Sequence, residues 1–155
     1  ALSLGYAGDR VRNMIWRCLN GDLNGYQAQR IVICAGKNDL ADGAEPEAVF
    51  AALKDLVAVL RRRQHRSRII ITAIPPSSGK HGGLKSGYAM KVKRYNELVS
   101  TLSKQKNVEF MDLSDFCLLP DGQLNSKNYL ADKIHFNSAG YAAWLKRLEP
   151  GKSSK

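Results

Sequence analysis

No two cysteines in this chain stand close enough in sequence to grip a metal ion. Cys18, Cys34 and Cys117 are scattered, odd in number and form no Cys-x-x-Cys pattern, which removes a disulfide framework and a zinc-finger-type site. No metal and no organic cofactor is expected. Long apolar runs are missing too. Ile69-Ile70-Ile71 is typical of what is present, far short of the roughly 20 residues of a membrane-spanning helix, so no membrane span is expected. The segment Ala1–Tyr6 has neither a basic n-region nor a long apolar h-region, and no secretory leader is read from it. Unpaired thiols favour a reducing compartment such as the cytoplasm. Acidic residues are scarce, 14 against 24 Lys and Arg, leaving a net charge of +10.

What is there is globular. The chain has 155 residues, 44% hydrophobic and 25% charged, values that fit a single domain over residues 1–150 with a core of its own, followed by a short basic tail, Gly151–Lys155. The charge is uneven. Lys54 to Lys106 holds 13 basic and 2 acidic residues, so this middle third carries the whole excess. Its densest part contains Arg61, Arg62, Arg63, Arg66 and Arg68. Such a run attracts phosphate backbones or anionic surfaces, and it equally suits the solvated C-terminal end of a helix. No aromatic is interleaved for base stacking.

The chain alternates short strands with amphipathic helices. Leu2-Ser3-Leu4 reads as the end of a strand. Asp9 reads as the N-cap of a helix whose stripe is Val11, Met14, Ile15, Cys18 and Leu19, stopped by Asn20-Gly21. Arg30–Ala35 is a continuous apolar run, the mark of a strand covered on both faces. Pro46 opens a helix with Val49, Phe50, Leu53, Leu56, Val57 and Leu60 inward. Arg68–Ile74 is the clearest buried strand, ended by Pro75-Pro76. A loop from Ser77 to Gly87 leads to a helix carrying Tyr88, Val92, Tyr95, Leu98, Val99 and Leu102 on one side. Val108–Leu113 is a last strand, and a final helix starts near Ser138 with Tyr141, Trp144, Leu145 and Leu148 inward. Strands separated by such helices make a parallel sheet with helices on both faces, an α/β/α three-layer arrangement.

Chemistry in such folds collects at the carboxyl ends of the strands. Four segments lie there: Gly5–Asp9, Gly36-Lys37-Asn38-Asp39, Pro75–Ser78, and Asp132-Lys133-Ile134-His135. Asn38 offers an amide N–H for a developing oxyanion, and Gly8 a backbone N–H that a substrate can approach closely. Asp132 and His135, three apart, let a carboxylate hold one imidazole nitrogen while the other faces a nucleophile. Taken singly, each is also a turn or a cap. His65 and His81 lie in polar, basic surroundings and read as surface residues.

Together, and in this order, Gly8, Gly36-x-Asn38-Asp39 and Asp132-x-x-His135 resemble blocks II, III and V of the SGNH (GDSL) hydrolases. Leu4–Val11, Trp16-Arg17, Asn20-Gly21-Asp22-Leu23, Tyr95-Asn96 and His135–Tyr141 are similar to the small acetylhydrolases of that family. The resemblance runs from about Leu2 to Leu148. It implies a flavodoxin-like sheet and deacylation of an ester or amide by a serine. His135 would be the general base, Asp132 its orienter, and Asn38 and Gly8 the oxyanion donors.

One block is absent. The chain contains no Gly-Asp-Ser; Gly8-Asp9-Arg10 and Gly21-Asp22-Leu23 lack the serine. Ser77 and Ser78 follow the Arg68–Ile74 strand in a loop at the correct edge of the sheet; either is a weak candidate for the nucleophile, and the favoured reading is a polar loop that shapes the acyl pocket. The resemblance therefore implies a sheet lacking its first strand, with that strand supplied by an upstream segment or another chain. Two function classes stay open: an esterase acting on a small acyl ester, such as an acetyl ester of lipid or carbohydrate, and an inactive module of the same fold binding RNA or another polyanion through Arg61–Arg68.

Overall fold

Three apolar runs build the sheet in a computed structural model that describes residues 2–79 and 86–149. They are β1 (Arg30–Ile33), β2 (Arg68–Thr72) and β3 (Val108–Met111), paired in parallel in the order β1-β2-β3. Ile31 sits opposite Ile69, and Ile69 opposite Val108. Parallel neighbours need long crossovers. Here α2 (Lys37–Ala41) and α3 (Pro46–Arg63) join β1 to β2, while α4 (Gly87–Ser100) and the 3-10 turn Thr101–Lys104 join β2 to β3. His81, the tail Gly151–Lys155 and most of the Ser77–Gly87 loop lie outside the described residues.

The chain divides into two compact units. The first comprises Ala1–Ile74 and Lys91–Met111, the second Pro75–Met90 and Asp112–Lys155. In the first, β2 is the centre. Ile69, Ile70 and Ile71 are each 3% exposed or less, so both faces of this strand are covered, as an α/β sheet with helices on both sides requires. Burying each of them stabilises the fold by roughly 1.5–3 kcal/mol. Pro46 occupies the first turn of α3, and Val49, Leu53, Leu56, Val57 and Leu60 are buried along it as the spacing predicts, while Phe50 is only half-buried. Where α3 ends, Gln64 is buried at 1% exposure and fully used. Its Oε1 accepts from the Ala28 and Gln27 nitrogens (2.8 and 3.1 Å), and its Nε2 donates to the Leu23 and Tyr26 carbonyls (3.1 and 3.0 Å). A half-satisfied amide there would cost about 1–3 kcal/mol. On α4, Val92, Tyr95 and Val99 are buried, with Leu102 following them.

The second unit carries α5 (Ser114–Cys117), a 3-10 turn (Ser126–Asn128) and α6 (Ser138–Leu148). Phe136 is its hub, with ring centroids 5.0 Å from Tyr129, 5.6 Å from Phe116 and 6.1 Å from Trp144. Asn137 caps α6 by accepting from the Ala139 and Gly140 N–H groups, and it donates to the Lys127 and Tyr129 carbonyls. Burial of the Cys117 thiol pushes its pKa up to about 11, which makes it an inert core group rather than a nucleophile.

Four expectations are corrected. Leu2-Ser3-Leu4 forms no strand, and Leu2 is exposed; three residues pair only if a neighbouring strand meets them, and none does among the described residues. β1 is not covered on both faces: Ile33 is buried, but Val32 is 42% exposed. Asp9 does not cap α1 (Val11–Leu19); its carboxylate pairs with Arg17 instead, and the Val11 N–H is met by the Asp39 carboxylate at 3.2 Å. Of the α1 stripe only Val11 is fully buried, and on α6 the apolar residues Tyr141 and Leu145 are 56% and 62% exposed. Helical periodicity names an apolar face; it does not supply the surface that covers it.

Candidate active site

The motif Gly36-Lys37-Asn38-Asp39 is a strand-to-helix corner. Gly36 precedes α2 with φ +98°, a left-handed conformation that glycine adopts without a Cβ penalty. Packing adds a second requirement: a Cβ there would stand 2.8 Å from the Tyr95 hydroxyl and 3.0 Å from Val49 Cγ1. The corner turns Asn38 toward Asp9, whose carbonyl accepts from Asn38 Nδ2 at 2.8 Å. Only one of the two amide hydrogens is engaged there. The contact orients the group. Gly8, next to Asp9, has φ +79° in the turn closed by Asp9 N–H to Tyr6 O, with nothing within 4 Å of a Cβ position. It is open to close approach. Gly8 and Asn38 are thus tied to one stretch of chain through Asp9.

In the second unit, Asp132 and His135 are in direct contact. His135 Nδ1 lies 2.7 Å from Asp132 Oδ2, while Asp132 Oδ1 accepts from the Ile134 and His135 backbone N–H groups at 2.9 and 3.0 Å. These bonds, the imidazole first, hold the Asp132 carboxyl well below the usual carboxylate range. A depressed value means that the contribution of the pair is present above the ordinary carboxylate pKa and is lost only as pH falls through the depressed one. With Nδ1 donating to the carboxylate, Nε2 is the nitrogen left to take a proton. The turn is closed by Leu130 N–H to His135 O (2.8 Å) and Lys133 N–H to Leu130 O (2.9 Å). The loop after Pro75-Pro76 packs onto it. Ser78 N–H donates to Lys133 O at 3.1 Å, the Tyr129 hydroxyl donates to Pro76 O at 2.7 Å, and a Cβ on Gly79 would fall 2.0 Å from Asp132 O. Ser77 is buried at 7% exposure. Ser77 and Ser78 thus belong to the same unit as His135.

The basic run is largely engaged by its own fold. Arg61 donates to Gln105, Arg63 to the Leu19 carbonyl, and Arg68 pairs with Glu109. Arg66 and Arg68 line a shallow cleft with Ser103, Asn107 and Glu109, at the amino-terminal ends of β2 and β3 and hence at the other end of the sheet from the Gly36–Asp39 corner. His65 is exposed. Among the described residues no group of His, Cys, Asp and Glu is arranged to hold a metal ion, and no helix is long and apolar enough to cross a membrane.

Sequence reasoning passed over two side chains. Asn96, quoted only as part of a motif, accepts from the Ile74 N–H and donates to the Ile74 carbonyl (2.9 and 3.0 Å), standing in for a strand neighbour where β3 has ended. Arg17 reaches Leu4, Asp9 and Asp22. The spacing of Arg17 to Asp9 and Asp22 was visible in the sequence, but the contact with a backbone carbonyl was not.

Comparison with known proteins agrees with these motifs. Residues 1–143 match the model of the GDSL-like lipase/acylhydrolase family. The platelet-activating factor acetylhydrolase IB subunit alpha2 of Rattus norvegicus is 29% identical over 149 residues, 96% of this chain and 62% of that protein. The chain thus spans about three fifths of the length of such relatives. In structure it is similar to a GDSL-like lipase from Bacteroides thetaiotaomicron, with TM-score 0.73, 17% identity, and coverage of 91% of this chain and 71% of that one. It is also similar to a carbohydrate esterase family 3 protein from Talaromyces cellulolyticus, with TM-score 0.71, 16% identity, and coverage of 94% and 67%. By sequence motif, sheet topology and family match, this chain belongs to the GDSL-like lipase/acylhydrolase family.

Proposed function

We propose that the chain supplies the base and the oxyanion donors of a serine-type hydrolase acting on a small acyl ester, and that the serine comes from a Gly-Asp-Ser strand these 155 residues do not hold. The observation that carries the reading is the 2.7 Å contact between His135 Nδ1 and Asp132 in a chain of this family. In the proposed reaction the serine Oγ bonds to the acyl carbon and its proton passes to His135 Nε2. The carbonyl oxygen becomes an oxyanion held by Asn38 Nδ2–H and the Gly8 N–H. Collapse breaks the ester C–O bond, and the imidazolium returns the proton to the leaving alcohol. Water then attacks the acyl-serine by the same route in reverse. Asp132 keeps the ring in the required tautomer throughout. The Pro76–Gly79 loop, with Ser77 and Ser78, shapes the acyl pocket.

Two further observations support this reading. The outer edge of β1 has no strand partner among the described residues, which leaves backbone groups for an added strand to meet. An acetyl ester of lipid or carbohydrate suits the names of the relatives, a platelet-activating factor acetylhydrolase subunit and a carbohydrate esterase. The test is hydrolysis of p-nitrophenyl acetate by a protein that joins this chain to a Gly-Asp-Ser segment. His135→Ala is expected to lower kcat by about 10³-fold or more, and Asn38→Ala by about 10²–10³-fold. Turnover that survives His135→Ala unchanged sinks the assignment.

A further inference from the structure

The segment that carries Gly8 has no regular structure of its own. Leu4 to Arg10 forms neither helix nor strand, and beyond the backbone bond from Asp9 N–H to Tyr6 O the segment that presents the Gly8 N–H and the Asp9 carbonyl is held by side chains. One side chain dominates. Arg17, in the last turn of α1 and only 17% exposed, donates from Nη2 to the Leu4 carbonyl at 3.1 Å and from Nη1 to Asp9 Oδ1 at 2.8 Å. Its Nη2 also lies 2.6 Å from Asp9 Oδ2, which makes the Asp9 contact a two-pronged fork. Its Nε donates to Asp22 Oδ2 at 3.0 Å, and its guanidinium carbon stands 4.4 Å from the centre of the Tyr6 ring. Arg17 thus touches the segment at Leu4, Tyr6 and Asp9, on both sides of the Gly8 turn. Asp9, gripped by its carboxylate, is the residue whose carbonyl orients Asn38.

We propose that Arg17 is a positioning residue for the oxyanion donors: it fixes Leu4–Asp9 so that the Gly8 N–H and, through the Asp9 carbonyl, the Asn38 amide point where the oxyanion forms. This rests on the hydrolase reading. The geometry says why arginine is required. A planar fork meets both carboxylate oxygens at once and still reaches a third acceptor, whereas an ammonium is a point charge that cannot span them. A partly buried guanidinium flanked by Asp9 and Asp22 also stays charged, its pKa raised by these carboxylates. Misplacing a catalytic donor by about 1 Å costs on the order of 100-fold in rate, which sets the expected effect.

The experiment uses the complete, ester-hydrolysing protein with Arg17→Met, Arg17→Lys and Asp9→Asn. Arg17→Met is expected to lower kcat about 10- to 100-fold with KM within about threefold. Arg17→Lys should recover only part of this, and adding Arg17→Met to Asn38→Ala should lower kcat by much less than it does alone, since both act through one group of donors. A folded Arg17→Met or Asp9→Asn variant with kcat within twofold of the parent overturns the proposal, as does full additivity with Asn38→Ala. A second readout needs no turnover: the Asn38 side-chain amide resonances should shift in Arg17→Lys and Asp9→Asn, with those of Asn96 unmoved. If the parent hydrolyses no ester while the Asn38 signal still shifts, the hydrolase reading fails and the tether stands. If the Asn38 signal does not move, the tether itself is refuted.

Discussion

β1 and β2 are parallel neighbours with Val32 in register with Ile70, so these two side chains lie on the same face of the sheet. Ile70 is 3% exposed and Val32 is 42% exposed. Both strands are runs of β-branched residues opened by an arginine, and nothing in their composition separates them. The difference comes from their neighbours. β2 has a strand on each side, while β1 has one on one side only among the described residues. The comparison teaches that a continuous apolar run identifies a strand and leaves open whether each face is covered.

The comparison can be broken at several points. The largest effect is expected at the centre of the sheet, where Ile71→Ala should destabilise the chain by about 2–5 kcal/mol in urea unfolding, through lost burial and a residual cavity. Next is Asn96→Ala, which leaves the Ile74 N–H and carbonyl at the end of β2 without partners, at about 1–3 kcal/mol per group. Gly36→Ala, at the end of β1, should cost about 1–3 kcal/mol, from its left-handed backbone and from the clash with Tyr95. The smallest is Val32→Ala, expected within about 0.5 kcal/mol in this chain, as for an exposed position. A Val32→Ala cost equal to that of Ile71→Ala would break the contrast. The same substitution becoming clearly more costly when a Gly-Asp-Ser strand is joined to the chain would sharpen it, because the added strand would then be what covers β1.

Much of the molecule was legible in the residues because the determining forces are local. Pro46 and the i, i+3, i+4 spacing marked α3, and five of the six residues read as inward are buried, Phe50 excepted. Ser138 marked the start of α6. Asp132 and His135, three apart, met through a short turn whose closing hydrogen bonds join residues 130–135, so the contact between the two side chains is local. Asp9 misled for the opposite reason. As an N-cap candidate it was sound by type, but Arg17 takes both oxygens of its carboxylate in a two-pronged ion pair, where a cap would offer a backbone N–H with no full charge. The exposed apolar residues of α6, and Trp16 and Leu19 on α1, were illegible because cover is a property of another surface. The arginines of the run from Arg61 to Arg68 looked like one patch, and only their contacts showed that Arg61, Arg63 and Arg68 bind protein groups.

By itself the sequence determined the alternation of strand and helix, the parallel sheet, the family motifs and the absence of Gly-Asp-Ser, since each is written in residue types at short spacing. Tertiary structure alone decided that the Asn38 amide is aimed by the Asp9 carbonyl, that Arg17 holds that segment, and that β1 keeps an open face. Those outcomes depend on groups 8 to 38 residues apart in the chain finding one another, and only the folded backbone sets such distances.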